Sequence, residues 1–232
     1  MIEKEIEIQR RIDMDMLSRS MSGSFAYAIM LPLVFWPFDF YTLQPSFSTW
    51  FALSMLFISI LRGILKLKTE QLYQFSPKLW RGIFFFLSLC HASILSTFFV
   101  LSIYDERFIS VVNVTMLAMG GIASGAAVAL LPRIKFSLVN LGVLLVPSIV
   151  AGFIIKDKMP YAGMIATYFG FVSLIAIRSS KEYFRSFKIE QILDEQKNEL
   201  ERQSKTDALT GLNNRMYLEE QLEKLFKQNK RE

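Results

Sequence analysis

Residues 80–104 read WRGIFFFLSLCHASILSTFFVLSIY, and Arg81 is the only lysine, arginine, aspartate or glutamate among them. A helix needs about 20 mainly apolar residues to cross a bilayer core that is about 30 Å thick. The stretch has that length, and its apolar residues are bunched rather than periodic. It is therefore predicted to be a transmembrane helix.

Apolar runs of the same kind recur on both sides of this stretch. The sequence predicts six spans, at residues 21–41, 47–67, 80–104, 108–131, 134–155 and 159–177. The joints between them contain proline or clustered charges, which suit turns. With 52% hydrophobic residues and a mean hydropathy of +0.33, the chain is predicted to be an all-α polytopic membrane protein.

The positive net charge lies in the membrane region. Residues 20–178 carry eleven lysines and arginines against five acidic residues, whereas the chain as a whole has a net charge of +5. This distribution fits phospholipid head groups and topology signals, so membrane lipids are predicted partners and nucleic acid is not.

Lysine and arginine also predict the orientation. The joints after the second, fourth and sixth spans, with their flanks, carry Arg62, Lys66, Lys68, Lys78, Arg81, Arg133, Lys135 and Arg178. The opposite joints carry only Arg107, Lys156 and Lys158. By the positive-inside rule the first set is cytoplasmic, together with both termini. Arg62, near the end of its span, is expected to extend to the lipid head groups.

The chain is predicted to have four parts. Residues 1–19 form an amphipathic cytoplasmic segment, residues 20–178 the six-helix membrane domain, residues 179–205 a linker helix, and residues 206–232 the start of another domain. The linker is charged and lacks glycine and proline, which favours a helix.

A weak heptad seam runs along the linker helix. Leu193 and Leu200 fit a positions, and Ile189 and Gln196 fit d positions. Because the seam is short and partly polar, it is stable as a coiled coil only with support from elsewhere. The linker is therefore interpreted either as a solvated helix or as a dimeric coiled coil.

Residues 206–215, TDALTGLNNR, follow the linker directly. Asp207 or Thr210 can cap backbone amides, Gly211 permits a tight turn, and residues 215–226 restart an amphipathic helix. The pattern resembles the opening segment of the GGDEF domain of bacterial diguanylate cyclases. The matching positions are Asp207, Leu209, Thr210, Gly211, Leu212, Asn213, Asn214 and Arg215, and Met216 stands where the family has a second arginine.

The resemblance implies a function for the whole protein. In that family two catalytic domains, each with one GTP, face each other and use Mg²⁺ to form cyclic di-GMP. It implies a homodimer in the bacterial inner membrane, in which a membrane sensor regulates the cyclase through the linker. The six-span layout is similar to the MASE class of membrane-associated sensors.

The catalytic residues of the GGDEF family do not occur in these 232 residues. There is no Gly-Gly-Asp or Gly-Gly-Glu, and the only Gly-Gly is Gly120–Gly121, inside a predicted span. The chain is therefore expected to end inside the first helix of that domain, to bind no metal or cofactor itself, and to be inactive alone. A naturally freestanding membrane protein, acting as a partner or a small-molecule transporter, is the alternative.

Two features of the spans are candidates for sensing. Cys90 and His91 lie deep in the third span, where ionisable groups are costly and often functional. Adjacent helix residues point about 100° apart, so one helix does not easily offer both side chains to one metal. His91 is interpreted as a packing histidine, as part of a pocket, or as a cofactor ligand.

Small residues recur every four positions in the fourth span, at Gly121, Gly125 and Ala129. Such spacing lets helices approach closely in lipid, either at a dimer interface or within the bundle. Prolines inside the first and fifth spans, Pro32 and Pro147, can kink helices and outline a cavity. An unidentified small apolar ligand is therefore a further predicted partner.

Overall fold

The computed structural model describes residues 2–205 and, beyond them, residues 212, 214, 217 and 218. Its α-helices are α1 (Ile2–Phe35), α2 (Phe40–Leu43), α3 (Pro45–Leu67), α4 (Thr69–Phe75), α5 (Pro77–Tyr104), α6 (Val112–Ala129), α7 (Ile134–Ile154) and α8 (Met159–Lys205). Short 3₁₀ helices cover Glu106–Val111, Leu131–Arg133 and Lys156–Lys158. Within the described residues there is no β-strand, so the predicted all-α class is confirmed.

Five of the described helical segments are long and apolar enough to cross a membrane. They are Pro45–Leu67, Pro77–Tyr104, Glu106–Ala129, Leu131–Ile154 and Met159–Gln203. They overlap with the second to sixth predicted spans and define a helical membrane protein, and the last of them continues well beyond the predicted end at residue 177. The first predicted span, residues 21–41, is not among them.

Helix α1 passes through the predicted boundary at residue 19 without a break. Met16 is fully buried near one end of the bundle, and Phe35 is fully buried near the other. At a rise of 1.5 Å per residue these two positions are about 29 Å apart along the axis, close to the thickness of a bilayer core. The predicted amphipathic segment and residues 21–35 of the first predicted span are thus parts of one helix. The prediction that this span continues to residue 41 is wrong, because residues 36–39 form a turn before α2 begins at Phe40.

Helix starts follow the local sequence. Pro45 and Pro77 stand at the first turns of α3 and α5, where the missing amide proton costs nothing. Ser76 caps α5, since its hydroxyl accepts a hydrogen bond from the backbone N–H of Leu79 at 3.3 Å. The sequence therefore sets the joint between these two spans.

Two buried clusters hold residues 1–181 together. One is aromatic: the Phe35 ring meets Phe98 at 5.2 Å, and Phe40 stacks on Phe108 at 5.3 Å. The other surrounds Trp80 and Phe84, which stack at 5.4 Å. Offset and edge-to-face pairs of this kind stabilise helix packing beyond simple area burial.

Residues 182–232 form a second compact unit. Its described part consists of the end of α8 and residues 212, 214, 217 and 218. On α8, Arg202 donates to Glu199 at 2.9 Å and Lys205 donates to Glu201 at 3.3 Å. Pairs three and four residues apart add small increments to the stability of an exposed helix.

Candidate functional site

His91 lies in the interior of the bundle and is 1% exposed. Its Nε2 atom is 3.3 Å from the carbonyl oxygen of Met55 and 3.3 Å from the hydroxyl of Ser59. Its Nδ1 atom is 3.5 Å from Nη1 of Arg62. The histidine thus joins α5 to α3 through both ring nitrogens.

The partners determine which ring nitrogen carries the proton. A carbonyl oxygen only accepts, so Nε2–H of His91 donates to Met55. The Ser59 hydroxyl donates to the carbonyl of Ser24 at 3.0 Å, which leaves its oxygen to accept from the same Nε2–H. A guanidinium only donates, so Nδ1 accepts from Arg62. The geometry defines a neutral imidazole beside a charged guanidinium.

Arg62 does not extend to the head groups, and that sequence-based expectation is wrong. Its side chain turns into the bundle, is 4% exposed, and lies over the ring of Phe84 with Cζ 5.5 Å from the centroid. The aromatic face and His91 stabilise the guanidinium there. Sequence position near a helix end does not determine the direction in which a long side chain points.

A cavity of about 490 Å³ lies between α1 and α6 and is backed by α3, α5 and α7. Arg62 and His91 line it from one side. Gly121, Gly125 and Ala129, the predicted small-residue stripe, line it from α6. Two features that the sequence identified separately therefore meet in one place.

Cys90 does not share this cavity. It is half-buried and packs beside the Trp80 cluster, whereas His91 faces the cavity. In the described part of the chain, no group of three or more histidine, cysteine, aspartate or glutamate side chains is arranged to hold a metal ion.

The glycines of α6 open space at this cavity. A Cβ atom added to Gly121 or Gly125 would meet nothing within 4 Å. Among the described residues, no neighbouring helix is therefore in close contact at these two positions. The interpretation of the stripe as a dimer interface stays a prediction.

An adjacent face of α6, about 100° around the helix from Gly121 and Gly125, contacts α8. The Tyr168 hydroxyl donates to the carbonyl oxygen of Gly120 at 2.5 Å and lies 2.8 Å from the Ser124 hydroxyl. The Ser180 hydroxyl of α8 donates to the carbonyl of Leu131 at 2.9 Å, just beyond α6. Helix α6 is therefore the element shared by the cavity and by α8.

A buried charge cluster that the sequence analysis missed lies at the end of the bundle near the start of α5. Asp13 is fully buried, and its Oδ2 accepts from the Tyr73 hydroxyl at 2.9 Å and from Arg81 Nε at 2.7 Å. Its Oδ1 accepts from Arg133 Nη2 at 2.8 Å, and the same nitrogen donates to Gln9 at 2.7 Å. One carboxylate thus connects four separate parts of the chain.

Tyr73 acts as a neutral donor in this cluster. Burial raises the pKa of its phenol above the ordinary value, so the hydroxyl keeps its proton and donates it to Asp13. No spacing rule would have found the cluster, because the partners of Asp13 lie between 60 and 120 residues away in the chain.

The residues of the opening motif are described only in part. Asp207, Leu209, Thr210, Gly211 and Arg215 lie outside the described residues. The Asn214 side chain accepts from the backbone N–H of Tyr217 at 2.8 Å, the geometry of a helix cap, and Leu212 is exposed. Of the predicted helix at residues 215–226, only Tyr217 and Leu218 are described, and both are helical, so the restart of a helix stays a prediction.

The predicted seam residues of the linker project from α8. Ile189, Leu193 and Leu200 are each about half exposed or more, at 49%, 58% and 65%, and Gln196 is exposed as well. Apolar side chains at these positions are available to a second helix.

Comparison with known proteins gives no assignment: no family model matches the chain, and neither a curated protein nor a solved structure matches it. The class that the fold defines is a helical membrane protein with a buried arginine–histidine pair beside an internal cavity. Its function has to be argued from these residues.

Proposed function

We propose that the protein is a homodimeric membrane sensor that regulates a diguanylate cyclase domain through its linker helix. The regulated reaction would convert two GTP into one cyclic di-GMP with Mg²⁺, and the nucleotide and the metal would bind to the catalytic domain. The proposal rests on the likeness of residues 206–215 to the opening of a GGDEF domain and on the helix that leads to them.

The observation that carries the proposal is the continuity of α8. One helix of 47 residues, Met159–Lys205, begins with a membrane-spanning stretch and ends at the opening motif. A continuous helix can transmit a rotation or a shift over its whole length, whereas a flexible joint would absorb it. A sensor connected to an enzyme requires such an element.

We further propose that α1 also crosses the membrane, which would bring the number of spans to six, and that both termini are cytoplasmic. Helix α1 carries Asp13 beside Arg81 and Arg133, which belong to two of the basic joints, and it reaches Phe35 beside the opposite joint at Phe108. The end of the bundle that holds these arginines is then the cytoplasmic end of a bacterial inner-membrane protein.

A cysteine cross-link tests the dimeric linker. In a Cys90→Ser background, Leu193→Cys is expected to form a disulfide between two copies under mild oxidation, because a positions face each other in a parallel coiled coil. Asn198→Cys, at the f position of the same heptad, is the matched control and is expected to stay monomeric on a non-reducing gel. Equal cross-linking at both positions, or none at either, would exclude the proposed seam.

The reading frame that encodes the chain tests the enzymatic part. Residues encoded beyond Glu232 are expected to include Gly-Gly-Asp or Gly-Gly-Glu followed by Glu-Phe, within a domain of ordinary size. The complete product, purified and supplied with Mg²⁺ and GTP, is expected to form cyclic di-GMP. Substitutions at Leu193 and Leu200 are expected to alter the rate of cyclic di-GMP formation. A product without that motif and without cyclase activity would contradict the proposal.

A further inference from the structure

We infer that the cavity between α1 and α6 binds an amphiphile that has one anionic head group and one long acyl chain. The head group, a carboxylate or a phosphate, would lie at Arg62, and the chain would lie along α6. This inference rests on the proposed sensor role and names the class of ligand that the sensor would detect.

The polar end of the cavity favours an anion. The described residues that line the cavity include Arg19 and Arg62 and no aspartate or glutamate. Arg19 is paired with Asp15 at 3.0 Å, so the contact with the anion is assigned to Arg62. Asn140 and His91 also line the cavity, and Nδ1 of His91 is 3.5 Å from Nη1 of Arg62. Keeping a guanidinium charged in an apolar bundle is costly, and a carboxylate or phosphate offsets that cost through paired, charge-assisted hydrogen bonds.

The rest of the cavity is apolar and elongated. Ala26 and Met30 of α1, Ala118 and Ile122 of α6, and Leu144 of α7 line it. From Arg19 to Met30, helix α1 rises about 16 Å along the cavity. The volume of about 490 Å³ lies within the range of about 300–1,000 Å³ that small-molecule sites occupy. A single extended chain fits this shape, with its charge at the Arg62 end.

The cavity is open on one side, where Gly121 and Gly125 are exposed. A ligand dissolved in the bilayer can enter there without crossing water. Because an acyl chain in the bilayer is already shielded from water, moving it into the cavity gains little hydrophobic free energy. The contact between the head group and Arg62 must therefore distinguish the ligand from bulk lipid.

The cavity also has a route to the linker helix. Gly121 lines the cavity, and the adjacent Gly120 accepts the hydrogen bond from Tyr168 of α8. A ligand that presses on α6 would therefore change the contact between α6 and α8. A small shift that makes or breaks the hydrogen bonds of Tyr168 is the kind of change that can switch between discrete states.

The binding test uses the purified chain in nanodiscs of phosphatidylcholine. Radiolabelled palmitate is the probe, and palmitoyl lysophosphatidate and hexadecanol are the competitors, so that the chain length stays the same while the head group changes. Arg62→Gln is expected to lower the affinity for palmitate by about tenfold to a hundredfold, the loss of one charge-assisted contact. Arg62→Lys keeps the charge and is expected to bind more tightly than the glutamine variant.

Two leucine variants test the cavity independently of Arg62. Gly125→Leu is expected to fill the cavity and abolish palmitate binding, because open space surrounds this position. Gly170→Leu of α8 also adds a side chain where nothing lies within 4 Å, but Gly170 does not line the cavity, so binding is expected to be unchanged. Gel filtration of each variant reports whether the oligomeric state has changed.

The outcomes separate the possible occupants. Displacement by palmitoyl lysophosphatidate but not by hexadecanol supports a site that binds an anionic head group. Whichever of palmitate and palmitoyl lysophosphatidate binds more tightly identifies the preferred head group as a carboxylate or a phosphate. Equal competition by hexadecanol, no saturable binding, or palmitate binding that survives Gly125→Leu would overturn the inference. Since the assay needs no catalytic domain, its failure would leave the cyclase proposal standing, and the reverse holds as well.

Discussion

Asp13→Ala is expected to destabilise the membrane domain by about 3–5 kcal/mol, the usual cost of removing one partner from a buried ion pair. The carboxylate of Asp13 is fully buried and accepts hydrogen bonds from Tyr73, Arg81 and Arg133. In Asp13→Ala, the guanidinium groups of Arg81 and Arg133 lose the negative charge that they share. Repulsion and lost hydrogen bonds then act in the same direction.

Unfolding by SDS titration in mixed micelles measures this effect. Asp15→Ala is the matched control, because Asp15 forms an exposed pair with Arg19 one turn away at 3.0 Å. Such exposed pairs contribute about 0.3–0.5 kcal/mol, so the control is expected to remain close to wild type. Equal stability of the two alanine variants would show that the Asp13 cluster does not hold the helices together.

The transmembrane helices were the most predictable part of the fold. Predicted residues 47–67 and 134–155 correspond to Pro45–Leu67 and Ile134–Ile154, because a run of apolar residues has few alternatives to a buried or membrane-spanning helix. The continuity of α1 was not predicted. Its first half is charged, and composition alone cannot indicate that Asp13 and Met16 on that half are covered by other helices.

The cavity was predictable only in pieces. An ionisable group inside a span singled out His91, and four-residue spacing singled out Gly121 and Gly125. That these residues face one cavity depends on the rotation and order of the helices, which no local pattern records. Arg62 was wrongly predicted for the same reason, since the choice between lipid head groups and the interior depends on Phe84 and His91 in another helix.

Gly152→Ala is expected to destabilise the protein by about 1–3 kcal/mol, as overpacking does in a well-packed interior. Gly152 is buried on α7, where α7 passes close to α8. An added Cβ would overlap with the hydroxyl of Tyr104 and lie 2.7 Å from Cβ and 3.4 Å from the backbone Cα of Ala162. Because the alanine atoms are not the end of a flexible chain, a helix has to move.

Gly142→Ala on the same helix is the matched control. A Cβ there meets nothing within 4 Å, so the substitution is expected to be neutral or to stabilise α7 by up to about 1 kcal/mol through helix propensity. SDS titration of both variants measures the difference. If Gly152→Ala proves as stable as Gly142→Ala, the close approach of α7 and α8 does not exist in the protein.

The source of the strain at Gly152 can be separated with a second substitution. Tyr104 donates a hydrogen bond to the carbonyl of Ser148 at 2.6 Å, so Tyr104→Phe alone is expected to cost about 1 kcal/mol. If the hydroxyl is the main obstacle to the new methyl group, the double variant is expected to be more stable than the sum of the single effects predicts. Simple additivity would instead assign the strain to Ala162, and α8 would then be the helix that moves when α7 is overpacked.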